Sequence, residues 1–384
     1  MHILLTGLLG IIAALWAIQA VRAFIGMRKL PRIERYEPLP DRDCPKVSII
    51  FGALNEAENL ASALESKLAL DYPDYEVVAV DDRSTDATGH ILDEYAKRNP
   101  HLRVVHIKEL PPGWLGKPHA LHRGSVIASG SWLVFTDADV IFAPDALRRI
   151  VAVALREKID HLALMTKTIM VGFWEHVVMT FFGLGFALGE EAWNTSNPRS
   201  SRYIGIGAFQ LIRRKAYDAF NGHQGMPLEV LEDMKLSKLT KRAGYRSQVG
   251  YAPEHVSVRW QAGLGNLVRG SAKTFFAAAS YNLGMLGGQV LGLLMLGVFP
   301  WLTLPFVHGW ARAFAVVSVV ISFTCHAVVS VSAGASPLYG LTEPIGALIF
   351  SWMLLRSAFL TLWHGGVSWR GTFYPLADLR RGLV

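Results

Sequence analysis

Two aspartates, Asp137 and Asp139, stand one residue apart behind the apolar run Trp132-Leu133-Val134-Phe135. The run reads as a short buried strand. Open α/β sheets bind ligands at the carboxyl ends of their strands. In extended chain, residues i and i+2 point the same way, so both carboxylates are expected to face one divalent cation. Mg2+ and Mn2+ prefer such oxygen donors and are commonly shared with substrate phosphates. The alternative is a solvated acidic turn. The residues that accompany the pair decide between the two.

Four further constellations have types suited to chemistry. Asn55-Glu56 follows the run Val47-Ser48-Ile49-Ile50-Phe51, and Asn55 is a candidate helix N-cap. Asp81 and Asp82 end a second apolar run and precede Arg83-Ser84-Thr85-Asp86. Carboxylates at a strand end can accept from a base N–H or a ribose hydroxyl, or they form a turn in which Asp86 caps a helix. Gly113-Trp114-Leu115-Gly116-Lys117 offers close backbone approach and a lysine at a helix start, suited to a phosphate. It lacks the P-loop spacing. Glu232-Asp233 opens a helical stretch, where a carboxylate can serve as a general base or merely as a cap. His119, His122, His223 and His255 have no metal-ligand spacing, and Cys44 and Cys325 are read as unpaired thiols.

The elements that must position these groups alternate. Strands are expected at 47–51, 76–80, 103–107 and 131–135, and helices at 55–70, 85–98 and 117–129. Such alternation predicts a mostly parallel sheet flanked by helices. This α/β unit is expected over 46–260. Residues 1–27 form an apolar stretch long enough to span a bilayer, read as an anchor. A Pro-rich linker covers 28–45. Residues 261–384 hold three more apolar stretches, 283–307, 313–331 and 345–363, and a basic tail. Phe173 to Leu188 is expected to lie at the membrane surface, to line an acceptor groove, or to be a buried helix.

Composition agrees with membrane segments attached to a soluble domain. The 384 residues are 51% hydrophobic, and the formal net charge is +7. A basic balance suits anionic lipid headgroups or a phosphorylated substrate. No basic stripe interleaved with aromatics points to nucleic acid. Arg28, Lys29, Arg32 and Arg35 behind the first stretch place the α/β unit in the cytoplasm. The expected location is a bacterial inner membrane. One conflict follows: one span before the unit and three after it would put the basic tail outside. The stretch at 283–307, broken by Pro300 and Pro305, is the one expected not to cross.

Taken together and in order, the motifs resemble the family-two inverting glycosyltransferases of GT-A fold, over roughly Lys46 to Trp260. The resemblance rests on Val47-Ser48-Ile49-Ile50 with Asn55-Glu56, Val80-Asp81-Asp82-Arg83-Ser84-Thr85-Asp86, Phe135-Thr136-Asp137-Ala138-Asp139, Gly205-Ile206-Gly207-Ala208-Phe209 and Glu232-Asp233. It implies a GT-A, Rossmann-like domain and a nucleotide-diphospho-sugar donor, with a UDP-sugar expected. Asn55, Glu56, Asp81, Asp82, Lys117, Asp137 and Gly207 would bind that donor. Asp139 and Asp137 would hold Mg2+ or Mn2+. Asp233, beside Glu232, would be the catalytic base. Arg259, Trp260 and Lys273 are acceptor or diphosphate candidates. The motif of processive synthases is incomplete, since Val256 stands at its leading position before Arg259-Trp260. Arg269-Gly270-Ser271-Ala272-Lys273 and Val367-Ser368-Trp369-Arg370-Gly371 resemble the non-processive branch acting on membrane lipids such as ceramides, carotenoids and hopanoids. The implied reaction is transfer of one sugar to a lipid hydroxyl. Transfer to a polyprenyl phosphate, a processive polysaccharide synthase and a catalytically silent membrane scaffold are the alternatives.

Overall fold

The computed structural model describes residues 2–384. Its centre is a seven-stranded sheet made of β1 (Val47–Ala53), β2 (Tyr75–Asp82), β3 (Leu102–Ile107), β4 (Trp132–Phe135), β6 (His161–Met165), β8 (Gln210–Arg213) and β9 (Ser247–Tyr251). Its order is β3-β2-β1-β4-β8-β6-β9. Only β8 runs against its neighbours, β4 and β6. The short strands β5 (Ile141–Phe142), β7 (Lys167–Thr168) and β10 (Val256–Val258) form a second sheet. These runs are strands because both faces of the sheet are covered, so nearly every position must be apolar. On one face Val47, Ile49 and Phe51 of β1 join Leu60, Leu64, Leu92 and Ile150. On the other, Ile50 joins Val78, Leu121 and Leu236.

Helices α2 (Ala57–Leu68), α3 (Thr88–Arg98) and α5 (Ala146–Arg156) supply the first layer. The second layer comes from α4 (Gly116–Ile127), α7 (Arg214–Asp218) and α8 (Glu232–Arg242). One local expectation needs correcting. Asn55 does not cap α2; it adopts φ 55° and its Oδ1 accepts from the Thr85 and Asp86 amides. Asp86 caps instead, accepting from the Ala57 amide of α2 at 3.2 Å and the Thr88 amide of α3 at 2.9 Å.

Four helical stretches are long and apolar enough to cross a membrane: His2–Met27 (α1), Leu283–Thr303, Gly309–Ser332 (α13) and Pro337–Trp363. The second comprises α11 (Leu283–Leu293), a π-turn at Leu294–Val298 and α12 (Phe299–Thr303); it follows α9 (Leu264–Ser271) and α10 (Phe275–Ala278). Most of the fourth is α14 (Glu343–Trp363). Leu9 of α1 packs with Val307, Ala311 and Ala315 far from the sheet. At the other end of α13, the Ser332 carbonyl accepts from the Tyr251 hydroxyl of β9 at 2.7 Å. The second stretch leaves Tyr281, held by Arg380, and reaches the far cluster at Leu304. These three helices therefore run between the catalytic side and the far end.

The fourth packs on α6 and on the second stretch. It begins where Tyr339 stacks on His176 at 5.0 Å, next to α6 (Phe173–Gly189). Near its end Ser357 Oγ donates to the Ala272 carbonyl and accepts from the Phe276 amide. The start of α14 lies against the interior of the second stretch, with Ala347 beside Gly297, so the helix runs back toward the sheet side. Ile345, Leu348, Trp352, Leu355, Phe359 and Leu362 are exposed along one stripe, while Phe350 and Leu354 are buried. An apolar stripe over a packed face suits a helix lying in the membrane boundary. The stretch at 283–307, expected not to cross, is among the four that are long and apolar enough to do so. Pro300 stands in the first turn of α12, where no amide donor is needed, and the π-turn absorbs the break. The chain then forms the hairpin β11 (Gly366–Trp369) and β12 (Thr372–Pro375) and the short helix α15 (Leu376–Arg381), on the same side as the sheet.

Candidate active site

The carboxyl ends of β1, β2 and β4 gather the acidic motifs. β4 ends at Phe135, and Asp137 and Asp139 lie in the turn beyond it rather than on extended chain. Lys117, at the start of α4, sits between elements: its Nζ is 2.7 Å from Asp137 Oδ1 and 2.8 Å from Glu232 Oε1. Burial alone would lower its pKa, but Asp137, Glu232 and Asp233 overrule that and raise it. Lys117 is thus held as a cation.

Gly207 roofs this cluster. A Cβ there would stand 3.2 Å from Asp137 Oδ2, 3.3 Å from Asp233 Oδ2 and 3.4 Å from Lys117 Nζ. The resemblance motif around Gly205 and the start of α8 are thereby in contact. Asp233 accepts from the Met234 amide at 2.8 Å. Burial and then Glu232 raise its pKa well above the usual carboxylate range, although Lys117 opposes them. A carboxylate with a raised pKa is a stronger base once ionised.

Asp139 is also raised, first by burial and then by Asp137. The two aspartates therefore repel each other on the side that Lys117 does not neutralise. Hard oxygen donors with surplus negative charge fit Mg2+ or Mn2+. Among the described residues no group of three or more His, Cys, Asp or Glu is placed to hold a metal ion. An ion here would need oxygens from the donor as well.

Other expected residues fall into place unevenly. Glu56 lies in the same neighbourhood; burial raises its pKa, and Arg370, Asp139 and Asp137 act on it. Asp81 accepts from the Ser84 amide at 3.2 Å and pairs with His106 at 2.9 Å, which raises the His106 pKa. Asp82 is fully buried and both its oxygens are taken by Arg83, at 2.8 and 3.1 Å. It thereby orients Arg83, and its Oδ2 stands beside Gly116 at the start of α4. Arg259 is not at the acidic cluster either: its guanidinium pairs with Glu175 of α6 at 2.8 Å, and Glu175 also accepts from the Gly263 and Val171 amides. Trp260 packs 5.3 Å from the Phe182 ring, at the junction with the apolar helices. Arg356 donates to the Val268 carbonyl. His255 is buried and faces Asp145 at 3.8 Å.

Lys273 does reach the cluster. Its ammonium lies 3.7 Å from the centre of the Trp369 ring. Burial, Arg370 and Lys117 lower its pKa to about 7, against Glu232 and Asp137. Arg370 was not among the expected site residues. It comes from the turn of the C-terminal hairpin, with φ 51°; its Nη2 is 3.9 Å from Glu56 and its buried Nη1 has no hydrogen-bond partner. The motif Val367-Ser368-Trp369-Arg370-Gly371 was the available signal, but its place in space was not. Beside Arg83, an open cleft of about 1040 Å3 is lined by Pro112, Trp114, Leu228, Tyr374 and Asp378.

Comparison with known proteins agrees with this geometry. The Nostoc beta-monoglucosyldiacylglycerol synthase is 31% identical over 199 residues, which are 50% of this chain and 40% of that protein. The 4,4'-diaponeurosporenoate glycosyltransferase of Staphylococcus haemolyticus is 24% identical over 239 residues, 61% of this chain and 62% of that one. The chain thus spans less than half the length of the synthase. Among solved structures, the mannosyltransferase PcManGT from Pyrobaculum calidifontis, in complex with GDP-Man and Mn2+, matches with TM-score 0.51 and 20% identity over 93% of this chain and 99% of that one. This likeness is one of fold, and it makes the catalytic sheet GT-A-like. The family description Glycosyl transferase family 2 matches residues 48–220, and that segment of the chain is a glycosyl transferase family 2 domain.

Proposed function

We propose that this protein moves one sugar from a nucleotide-diphospho-sugar, with UDP-sugar the expected form, to the hydroxyl of a membrane lipid, with inversion. The catalytic unit is taken as residues 46–260, completed by Lys273 and the C-terminal hairpin, and it works on the cytoplasmic face of a bacterial inner membrane. The observation that carries the reading is the convergence of Asp137, Lys117 and Asp233 within contact of one glycine, Gly207.

Asp233 takes the proton from the acceptor hydroxyl as that oxygen attacks the anomeric carbon. Met234 and Glu232 orient and charge-tune it. Departure of the nucleoside diphosphate adds negative charge beside Asp137 and Asp139. A divalent ion held there with the donor's phosphates would stabilise that charge as a Lewis acid. Lys117 and Arg370 supply fixed positive charge to the same oxygens, and Lys273 adds to it while protonated. The cleft beside Arg83 is large enough for a nucleoside. Trp260, Arg259 and α6 border the approach from the membrane, which suits a lipid acceptor. The likeness to a beta-monoglucosyldiacylglycerol synthase and a 4,4'-diaponeurosporenoate glycosyltransferase supports an apolar acceptor. The reading is tested by Asp139→Ala and Asp233→Asn in membranes supplied with donor. Each is expected to lower transfer at least ~100-fold; wild-type rates in both would refute it.

A further inference from the structure

The turn that carries Asp137 and Asp139 has a second cation beneath it. Lys67, on α2, is completely buried. Its Nζ donates to the carbonyls of Ala63 at 3.3 Å, Ala138 at 3.1 Å and Val140 at 2.6 Å. The last two peptide groups bracket Asp139. The Phe51 and Phe142 rings flank the ammonium, with centres at 5.3 and 5.5 Å. Three acceptors surround one nitrogen. An ammonium offers three donors, whereas a neutral amine offers two and would aim a lone pair at a carbonyl. The surroundings are therefore built for the charged form.

A buried charge with no ion-pair partner is costly, and leucine or methionine would fill the same space between two phenyl rings. Lys67 has no carboxylate at ion-pair distance among the described residues. Burial lowers its pKa to about 7, and the charges that oppose this and favour its protonated form are those of Asp139 and Asp137. Its hydrogen bonds, apart from the one within α2, all go to the acidic turn. A lysine serving only to join α2 to the sheet would have no need to choose those two carbonyls.

On the reading of Asp137 and Asp139 as a cation-binding pair, we propose that Lys67 is a positioning residue for that pair. It clamps the Ala138 and Val140 carbonyls inward, which fixes the peptide frame from which the Asp139 side chain projects. Its charge also offsets the repulsion between the two aspartates, so the turn is formed before metal and donor arrive. Lys67 touches neither of them.

The test uses the full-length protein in detergent with three variants, Lys67→Met, Lys67→Gln and Lys67→Arg. The control is Ser66→Ala. Ser66 Oγ accepts from the Phe142 amide at 3.1 Å and so joins the same helix to β5 without touching the acidic turn. Mn2+ binding, alone and with UDP, is read by the electron paramagnetic resonance of free Mn2+, together with thermal unfolding and the Mn2+ dependence of transfer. The methionine and glutamine variants are expected to raise the Mn2+ half-saturation at least tenfold, with kcat recovering at saturating Mn2+. Arginine should lie between them and wild type. Ser66→Ala should lower thermal stability and leave Mn2+ half-saturation unchanged. Folded Lys67→Met with wild-type Mn2+ half-saturation would overturn the proposal. So would equal shifts in Ser66→Ala, or three unfolded Lys67 variants beside a folded Ser66→Ala, which would make the lysine purely structural. Asp139→Ala separates the two levels. If it binds Mn2+ like wild type, the cation-site reading falls and the inference with it. If it loses Mn2+ while Lys67→Met does not, the inference alone falls.

Discussion

Gly205→Ala is the most discriminating single substitution in the loop above the acidic cluster. A Cβ at Gly205 would stand 1.7 Å from the Asp233 carbonyl oxygen, 2.3 Å from its carbonyl carbon and 2.7 Å from Gln210 Oε1. A carbon and a carbonyl oxygen approach to about 3.3 Å at closest. Loop and helix must therefore separate by roughly 1.6 Å along that contact. The Asp233 carbonyl lies in the first turn of α8, so the displacement is passed to the carboxylate that is to act as base. Misplacement of about 1 Å can cost ~100-fold in rate, or about 2.7 kcal/mol of barrier. Gly207→Ala meets three polar atoms at 3.2, 3.3 and 3.4 Å, and these can yield by a few tenths of an ångström. Its loss is expected to stay below ~10-fold, about 1.4 kcal/mol. The assay is initial-rate transfer to lipid at varied donor, with thermal unfolding to confirm the fold. The fall should appear in kcat, with donor KM within a few-fold of wild type, because the expected donor contacts other than Gly207 lie on other elements. Gly205→Ala with kcat near wild type, or with a smaller loss than Gly207→Ala, would refute the coupling of this loop to Asp233.

The remaining predictions concern protonation and topology. Transfer is expected to follow a bell-shaped pH profile: it rises as Asp233 ionises, since its raised pKa leaves it protonated in acid, and falls as Lys273, lowered to about 7, loses its charge. Lys273→Arg should move the falling limb to higher pH; an unchanged limb would remove Lys273 from the site. Glu76 accepts from Ser48, the Ser129 amide and hydroxyl, and Arg103, and although burial alone would raise its pKa, these bonds bring it to about 2. A depressed carboxylate stabilises above its unfolded value and loses that contribution as pH falls through its folded one. Glu76→Gln should therefore cost up to ~3 kcal/mol at pH 7 and flatten acid unfolding between pH 4.5 and about 2; equal acid sensitivity in variant and wild type would contradict it. A cysteine placed at Gly371 should be labelled from the same side of the membrane as one at Ser84, and labelling from opposite sides would require a fourth crossing.

The sheet was legible because β1, β2 and β4 are buried on both faces and bounded by turn residues, so apolar runs and strands coincide. The acidic motifs were legible as members of a set, since each lies at a strand end or helix start. What escaped was set by contacts between distant segments. Asn55 looked like a cap, yet its oxygen serves the Thr85 and Asp86 amides, and Asp86 caps α2 from another loop. Arg259 was read as an acceptor or diphosphate candidate, and its partner Glu175 comes from a helix that packs on the apolar bundle, which no local pattern announces. Lys67 reads as an ordinary helix-surface lysine because its acceptors lie 71 and 73 residues away. Arg370 stands beyond the last apolar stretch, and only the return of that stretch to the catalytic side brings it to Glu56. Hydropathy gives the length of Pro337–Trp363 but not its neighbours; the structure packs α14 against α6 through Phe350 and Gly346 on Phe181.

The most direct test of the account is mass analysis of the lipid extract from membranes holding the wild-type protein, Asp233→Asn or Asp139→Ala, each supplied with a panel of nucleotide-sugars and Mn2+. The account predicts one lipid species heavier by a single sugar in the wild type, formed from one donor and absent in both variants. A ladder of sugar additions, or an equal yield from the two variants, would contradict it.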